Sequence, residues 1–91
     1  MRYMVIEHFP DGDPLRVYRH LAERGRGIPE GLTYVDSWVE AGFARCFELM
    51  ETDDPALFQQ WALHWNGSGV RLEIVPVLGS TETRANVQAF L

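Results

Sequence analysis

The same order of elements, a strand and then a sharply started helix, occurs twice in this chain, and this repetition most constrains its fold. Residues 45–51 alternate as a β-strand does, and Asp54 and Pro55 then begin a helix. Residues 2–9 lead in the same way to an Asp-Pro pair at 13–14. Each aspartate can accept N–H groups of the first helical turn, and proline fits the next position because its missing N–H costs nothing there. The sequence therefore predicts two β-α units.

Matching apolar stripes on the two predicted helices support the repetition. Apolar residues recur at the three- and four-residue spacing that places them on one face of a helix. They are Val17, Tyr18, Leu21 and Ala22 in the first helix and Leu57, Phe58, Trp61 and Ala62 in the second. A glycine follows each helix and ends it, Gly25 in the first unit and Gly67 in the second. Each helix therefore has one face to bury against a sheet.

Two further strands complete that sheet. Residues 32–39 form a hairpin with the strand at 45–51, and residues 70–78 follow the second helix. Pro76 lies inside the last strand and indicates a bulge or the edge of the sheet, because proline cannot donate to the hydrogen-bond ladder. The order βαββαβ predicts a ferredoxin-like α+β fold, with a four-stranded antiparallel sheet and two helices on one face.

We expect one domain followed by a short tail. The chain has 91 residues, which is enough for a single core. Residues 1–79 hold the ferredoxin-like domain, and residues 80–91 form the C-terminal tail. Ser80 is typical of a helix start, and a short apolar stripe follows it as far as Leu91. The tail can form a third helix, docked on its own subunit or on a neighbour.

Helices that cover one side of the sheet leave the other side bare. We expect the helices to meet Met4, Ile6, Val35, Val39, Phe47, Leu49, Leu72 and Ile74. The opposite, open face then holds Tyr3, Val5, Glu7, Tyr34, Asp36, Trp38, Cys46, Glu48, Met50, Arg71, Glu73 and Val75. Such a patch is larger than a monomer usually leaves in water. We therefore predict a homodimer in which two open faces stack around a wet, aromatic-lined cavity.

The charge balance and residue usage exclude several classes of function. A net charge of −5 disfavours nucleic acid and membrane surfaces as partners, because both require a basic protein face. All eight basic residues are arginines, which excludes chemistry that needs a lysine, such as Schiff-base formation or a P-loop. A single cysteine cannot close an intrachain disulfide, and no apolar run is typical of a secretory signal or a bilayer span. We expect a cytoplasmic protein.

The chain also resembles a known family along most of its length. The features that carry the resemblance are the start Met1-Arg2-Tyr3-Met4-Val5, Trp38, the run from Phe47 to Glu51, Asp53-Asp54-Pro55, Trp65 and Pro76-Val77. They are similar to a family of small bacterial proteins known only as a domain of unknown function and assigned to the dimeric α/β-barrel group of ferredoxin-like proteins. The resemblance implies the fold and a homodimer, but no catalytic residue. The wider group includes cofactor-free monooxygenases, isomerases, haem-degrading enzymes and ligand sensors, so the fold does not choose among these functions.

Two residues are candidates for catalysis. His8 is the best single acid or base, since an unperturbed imidazole titrates near neutral pH. Glu48 is predicted to share a face with Glu7 on a facing strand, where proximity and burial raise a carboxyl pKa and allow a proton shuttle. Structural roles stay open for both candidates. His8 can be satisfied by a hydrogen bond, and Arg45 or Arg71 can neutralise the carboxylates.

The candidate ligand-binding residues of the open face are Tyr3, Glu7, Tyr34, Asp36, Trp38 and Cys46. Aromatic packing at a dimer interface explains Tyr34 and Trp38 equally well. Simple packing is the more ordinary role of a lone cysteine in a strand. The three histidines have no partner at metal-ligand spacing, so we expect no metal and no other cofactor.

These features favour a small homodimer that binds or transforms a small apolar or aromatic molecule in a cavity on the open face. As an enzyme it would catalyse cofactor-free proton transfer or oxygenation, with His8 or Glu48 moving the proton. The alternative is a non-catalytic interaction or sensor module whose dimer interface is filled by side chains. A cavity that touches His8, Glu48 or Trp38 favours the first hypothesis.

Overall fold

The helices and strands follow one another in the predicted order. In the computed structural model, which describes residues 1–91, they are β1 (Arg2–His8), α1 (Pro14–Arg24), β2 (Thr33–Val39), β3 (Arg45–Glu51), α2 (Ala56–His64), β4 (Arg71–Val77) and α3 (Ser80–Gln88). The four strands form one antiparallel sheet in the order β2-β3-β1-β4. The predicted ferredoxin-like α+β fold is confirmed.

Local sequence signals determine where the first two helices begin. Oδ1 of Asp13 accepts a hydrogen bond from the N–H of Leu15 at 3.0 Å, and Oδ1 of Asp54 accepts one from the N–H of Ala56 at 3.1 Å. These bonds satisfy first-turn donors that have no partner within a helix. Pro76 lies in β4, which is an edge strand as its proline predicts.

The predicted assignment of the two faces of β1 and β3 is wrong. The strand pairing places on one face Tyr3, Val5, Glu7, Cys46, Glu48 and Met50. We call it the covered face, because α1 and α2 pack on it: Val5 and Met50 are 0% exposed, and Tyr3 packs edge-on against Phe58 of α2. The sequence did not separate the two faces because both are apolar. The carboxyl groups of Glu7 and Glu48 made this face look like the solvent side.

An irregularity in β2 also separates residues that were predicted to share a face. Tyr34 pairs with Met50, whereas Asp36 pairs with the residue directly before Met50, so Val35 is an extra residue in the strand. This bulge places Tyr34 on the covered face, while Asp36 and Trp38 lie on the open face. The predicted position on the open face is therefore wrong for Tyr34.

The open face, on the side of the sheet away from α1 and α2, is still apolar. Its residues include Met4, Ile6, Trp38, Phe47, Leu49 and Val75. Trp38 exposes 52% of its surface and Val75 exposes 38%. For β4 the predicted faces are correct, since Leu72 and Ile74 pack towards the helices and Val75 does not.

The third helix lies apart from the core. It contains no buried residue; Val87 in its last turn is exposed, as are Phe90 and Leu91 after its end. The radius of gyration, 15.1 Å, is larger than the roughly 12 Å typical of a compact chain of this length. The apolar stripe of the tail is therefore not docked on the rest of this chain. No helix combines the length and apolarity that crossing a bilayer requires.

Candidate functional site

A cavity of about 90 Å³ lies between the covered face of the sheet and the two packed helices. Ten of its fourteen lining residues are hydrophobic, among them Val17 of α1 and Trp61 of α2. The other four are Glu7, Arg26, Ser37 and Glu48. Because one water molecule needs roughly 10–15 Å³ of such space, the cavity has room for several waters or one small organic molecule.

Four of the predicted site residues line this cavity. They are Glu7 on β1, Tyr34 on β2, and Cys46 and Glu48 on β3. They come together because the register aligns three neighbouring strands, and because the bulge in β2 turns Tyr34 towards the helices. The cavity therefore lies on the opposite side of the sheet from the predicted one.

The other four predicted site residues lie outside the cavity. Tyr3 is buried in the core. His8, Asp36 and Trp38 lie on the open face. Nε2 of His8 lies within hydrogen-bonding distance of Glu73 on the neighbouring strand β4, so its ring already has a partner. The structure thus separates the two candidate catalytic residues, with Glu48 in the cavity and His8 on the far side.

The polar part of the cavity is a cluster formed by Glu7, Cys46 and Glu48. Glu7 lies directly opposite Cys46 in the ladder, and one carboxyl oxygen of each glutamate and the Cys46 sulfur lie within 4.8 Å of one another. Glu7 is only 6% exposed, and Oε2 of Glu48 is buried without a hydrogen-bond partner. Neither glutamate takes part in an ion pair. Burying an ionised, unpaired carboxylate costs several kcal/mol, so the cluster is expected to hold a proton.

Burial, and then the neighbouring Glu7, raise the pKa of Glu48 to about 9, against a smaller opposite effect of Arg26. At neutral pH the Glu48 carboxyl group is therefore protonated. Burial and the two nearby carboxyl groups also raise the pKa of Cys46 to about 12. A thiol that stays protonated is a poor nucleophile, so the cysteine is a wall of the site and not its reactive group.

Glutamate and cysteine are residue types that can ligate metals, and these three are close enough to be considered. Metal ligands must be deprotonated, so an ion would have to displace protons from both Glu48 and Cys46. These three residues could hold a metal ion, and its binding would release protons.

Arg26, whose position favoured a solvated surface in the sequence, was not among the predicted site residues, but it lies in the loop between α1 and β2 and lines the cavity. The indole N–H groups of Trp61 and Trp65 both donate to the Arg26 carbonyl oxygen, at 2.9 and 3.2 Å. This anchor places the Arg26 guanidinium 4.2 Å above the ring of Tyr34, at the cavity. The glycines on both sides of Arg26 were a usable signal, because both adopt positive φ angles and mark a specific loop conformation.

The side chain of His64 packs against the loop that carries Arg26. Its Nε2–H donates to the carbonyl oxygen of Gly25 at 3.0 Å, while His20 donates to the carbonyl oxygen of His64 at 2.9 Å. The imidazole ring lies against Gly27 so closely that a Cβ built there would be 2.2 Å from ring carbons. His20 and His64 thus stabilise the loop that forms part of the cavity wall.

Gly27→Ala should therefore destabilise the protein more than Gly25→Ala does. Both glycines have positive φ, near +65° and +70°, so both substitutions carry a backbone cost of roughly 1–3 kcal/mol. Only Gly27 adds a collision with His64, because open space surrounds Gly25. We expect an additional loss of about 1–3 kcal/mol in the free energy of unfolding, measured by urea denaturation. Equal losses for the two variants would contradict this interpretation of the loop.

Comparison with known proteins gives a family and no activity. The family described as "Domain of unknown function (DUF3303)" matches residues 1–91. Searches among curated proteins and among solved structures found no match. The predicted resemblance to a family of unknown function is confirmed, and the function has to be argued from the site.

Proposed function

Because the chain belongs to the DUF3303 family, whose description assigns no activity, we propose its function from the cavity: it binds a small, largely apolar molecule with one hydrogen-bonding group. The proposal is carried by Oε2 of Glu48, a buried oxygen without a hydrogen-bond partner. Native proteins pair most such atoms. A bound molecule that donates a hydrogen bond to this oxygen would complete the site.

The walls of the cavity favour an apolar or aromatic ligand. Ten hydrophobic residues surround it, including Tyr34, Trp61 and Trp65. Apolar burial contributes about 25 cal/mol per Å², so a ring-sized ligand gains several kcal/mol from these walls. A mostly apolar cavity with a few convergent polar groups is the usual form of a small-molecule site.

Glu48 is also the group through which the protein can act on its ligand. It is protonated at neutral pH and has the carboxyl group of Glu7 beside it, so one group can deliver a proton while the other receives one. His8 lies on the opposite side of the sheet and is paired with Glu73. We therefore propose cofactor-free proton transfer as the class of reaction that this site supports.

A small-molecule screen by native mass spectrometry tests the proposal. The protein should bind or retain at least one compound from a set of small aromatic and aliphatic molecules. Glu48→Gln should weaken that binding by about tenfold, which corresponds to the loss of a hydrogen bond to a carboxyl group. Glu73→Gln removes a carboxylate from the open face of the same sheet and should leave binding unchanged. A wild-type protein that binds nothing in such a set contradicts the proposal and favours a non-catalytic module.

We further propose that the open faces of two copies stack to form a homodimer. Apolar residues occupy the middle of this face, and Trp38 exposes half of its surface there. Of the charged residues around them, Arg45 is paired with Glu40 and Arg71 with Glu73, while Asp36 has no ion pair. Burial of this face therefore leaves few charges unpaired. An exposed apolar patch of this kind usually marks a protein–protein interface.

Trp38→Ala should weaken this dimer by at least about tenfold, since it removes a large exposed aromatic side chain from the interface. Sedimentation equilibrium at micromolar concentration measures the effect. Leu63→Ala, at a residue of α2 that is 73% exposed on the other side of the molecule, is the matched control and should dimerise normally. Ligand binding should survive in Trp38→Ala, because Trp38 does not line the cavity. A wild-type protein that stays monomeric contradicts the dimer.

A further inference from the structure

We propose that the ligand of this cavity carries an ammonium group, which occupies the position between Glu7 and Glu48. The inference rests on the proposed function, in that it names the class of molecule that the cavity binds. Three observations support it: Glu7 and Glu48 form no ion pair, Arg26 is held over Tyr34, and aromatic side chains line the cavity.

No positively charged side chain pairs with Glu7 or Glu48 where they line the cavity. Glu7 is almost fully buried and lines the cavity, and it belongs to no ion pair. Oε2 of Glu48 is fully buried, lines the same cavity and has no hydrogen-bond partner. Two buried acceptors from different strands thus face one small space. An N–H donor with a positive charge satisfies both, and such charge-assisted hydrogen bonds are about twice as strong as neutral ones.

Arg26 does not fill this position. Its guanidinium lies over the ring of Tyr34, and its backbone carbonyl is fixed by the two indole N–H groups, so the side chain approaches from the loop side. It forms no ion pair with Glu7 or Glu48. Its single charge balances one of the two carboxylates. The second carboxylate can be balanced by a proton when the cavity is empty of ligand, or by a ligand with one positive charge.

The other walls suit an organic cation. The aromatic side chains of Tyr34, Trp61 and Trp65 line the cavity beside the carboxyl groups. Aromatic faces attract alkylammonium groups, and their apolar surface accommodates the carbon skeleton of an amine. A hydrated inorganic cation would gain nothing from these walls. The site therefore fits a small primary amine with an apolar or aromatic body.

Binding of an amine should displace a proton, because the ammonium group takes the place that the proton of Glu48 holds. The charged and titratable groups that line the cavity with Glu48 are Glu7 on β1, Tyr34 on β2, Cys46 on β3, Tyr18 on α1 and Arg26 in the loop. Of these, Cys46 and Tyr18 stay protonated at neutral pH, since burial raises both pKa values. The displaced proton is therefore assigned to the carboxyl pair.

Three probes of nearly equal shape test the inference: benzylamine, benzyl alcohol and toluene. Isothermal titration calorimetry with the full chain at neutral pH should show benzylamine binding at least about tenfold more tightly than benzyl alcohol. Measurements in two buffers of different ionisation enthalpy should show about one proton released per benzylamine bound and none for benzyl alcohol.

Variants separate this inference from the proposed function. Glu48→Gln should reduce benzyl alcohol affinity by about tenfold, the loss of one neutral hydrogen bond, and benzylamine affinity by about a hundredfold, since the charge-assisted bond is about twice as strong. Glu7→Gln is a second test of the same kind if Glu48→Gln folds poorly, and Glu73→Gln is the control on the open face. If benzyl alcohol or toluene binds as tightly as benzylamine, or no proton is released, the ammonium inference is wrong while small-molecule binding stands. If none of the three probes binds, neither the inference nor the proposed function holds for molecules of this size.

Discussion

The free energy of unfolding should fall as the pH rises from about 4.5 to about 9, and Glu48→Gln should remove most of this fall. The folded protein binds the Glu48 proton more tightly than the unfolded chain does, because its folded pKa is raised. Stability from this group is complete below the unfolded pKa and is lost as the pH rises through the folded pKa. At about 1.4 kcal/mol per pKa unit, the wild type should lose about 3–6 kcal/mol across this range.

Urea denaturation of both proteins at a series of pH values measures the effect. Glutamine is neutral throughout, so Glu48→Gln should be more stable than the wild type at about pH 9 and nearly flat below it. Glu82→Gln is the matched control: Glu82 is exposed on α3 and has no ion pair, so its variant should keep the wild-type slope. Parallel curves for wild type and Glu48→Gln would show that the Glu48 pKa is not raised in the folded protein.

Trp61→Ala should destabilise the protein by about 3–5 kcal/mol, the usual cost of truncating a large buried aromatic residue. Trp61 is 2% exposed, packs in the core and donates to the Arg26 carbonyl oxygen. Trp61→Phe keeps most of the volume and loses that hydrogen bond, for which we expect a smaller loss of about 1–3 kcal/mol. Thermal or urea denaturation gives both values, with Leu63→Ala as the exposed control on the same helix.

The loss in Trp61→Ala should extend to ligand binding, because this side chain forms the wall opposite the sheet and fixes the loop that carries Arg26. A typical domain of this size is stable by only 5–15 kcal/mol, so a loss of this size consumes a large part of the total. If Trp61→Ala were as stable as Leu63→Ala, the prediction would be wrong. The core would then repack around the missing indole with no loss in the free energy of unfolding, and another group would hold the loop.

The fold was predictable because its signals are local. Asp13 and Asp54 cap the two helices by bonding to residues two positions away, and Pro76 marks an edge strand through its own missing N–H. Each signal involves residues that are neighbours in sequence. The order of strands and helices then limits the topology to very few arrangements.

The faces of the sheet were less predictable, because they depend on contacts between elements. β1 is apolar on both sides, and its orientation is decided by the packing of Phe58 and Trp61 onto Tyr3 and Val5. Glu7 points to the interior although carboxylates usually mark the solvent side. The single extra residue Val35 further changed which side chains of β2 reach the cavity. Because the faces of β1 and β3 were exchanged as a whole, Glu7, Cys46 and Glu48 were correctly predicted to lie together but on the wrong side of the sheet.

The indole groups of Trp61 and Trp65 hold residue 26 by its carbonyl oxygen, an atom that every amino acid possesses. The course of the loop is thus independent of which side chain position 26 presents to the cavity. A single codon change there could replace the guanidinium with a neutral or acidic group while the two tryptophans keep the backbone in place. The two tryptophans therefore fix the loop backbone, while the side chain at position 26 contributes to ligand selectivity. Related chains could differ in selectivity at this one position and keep the fold.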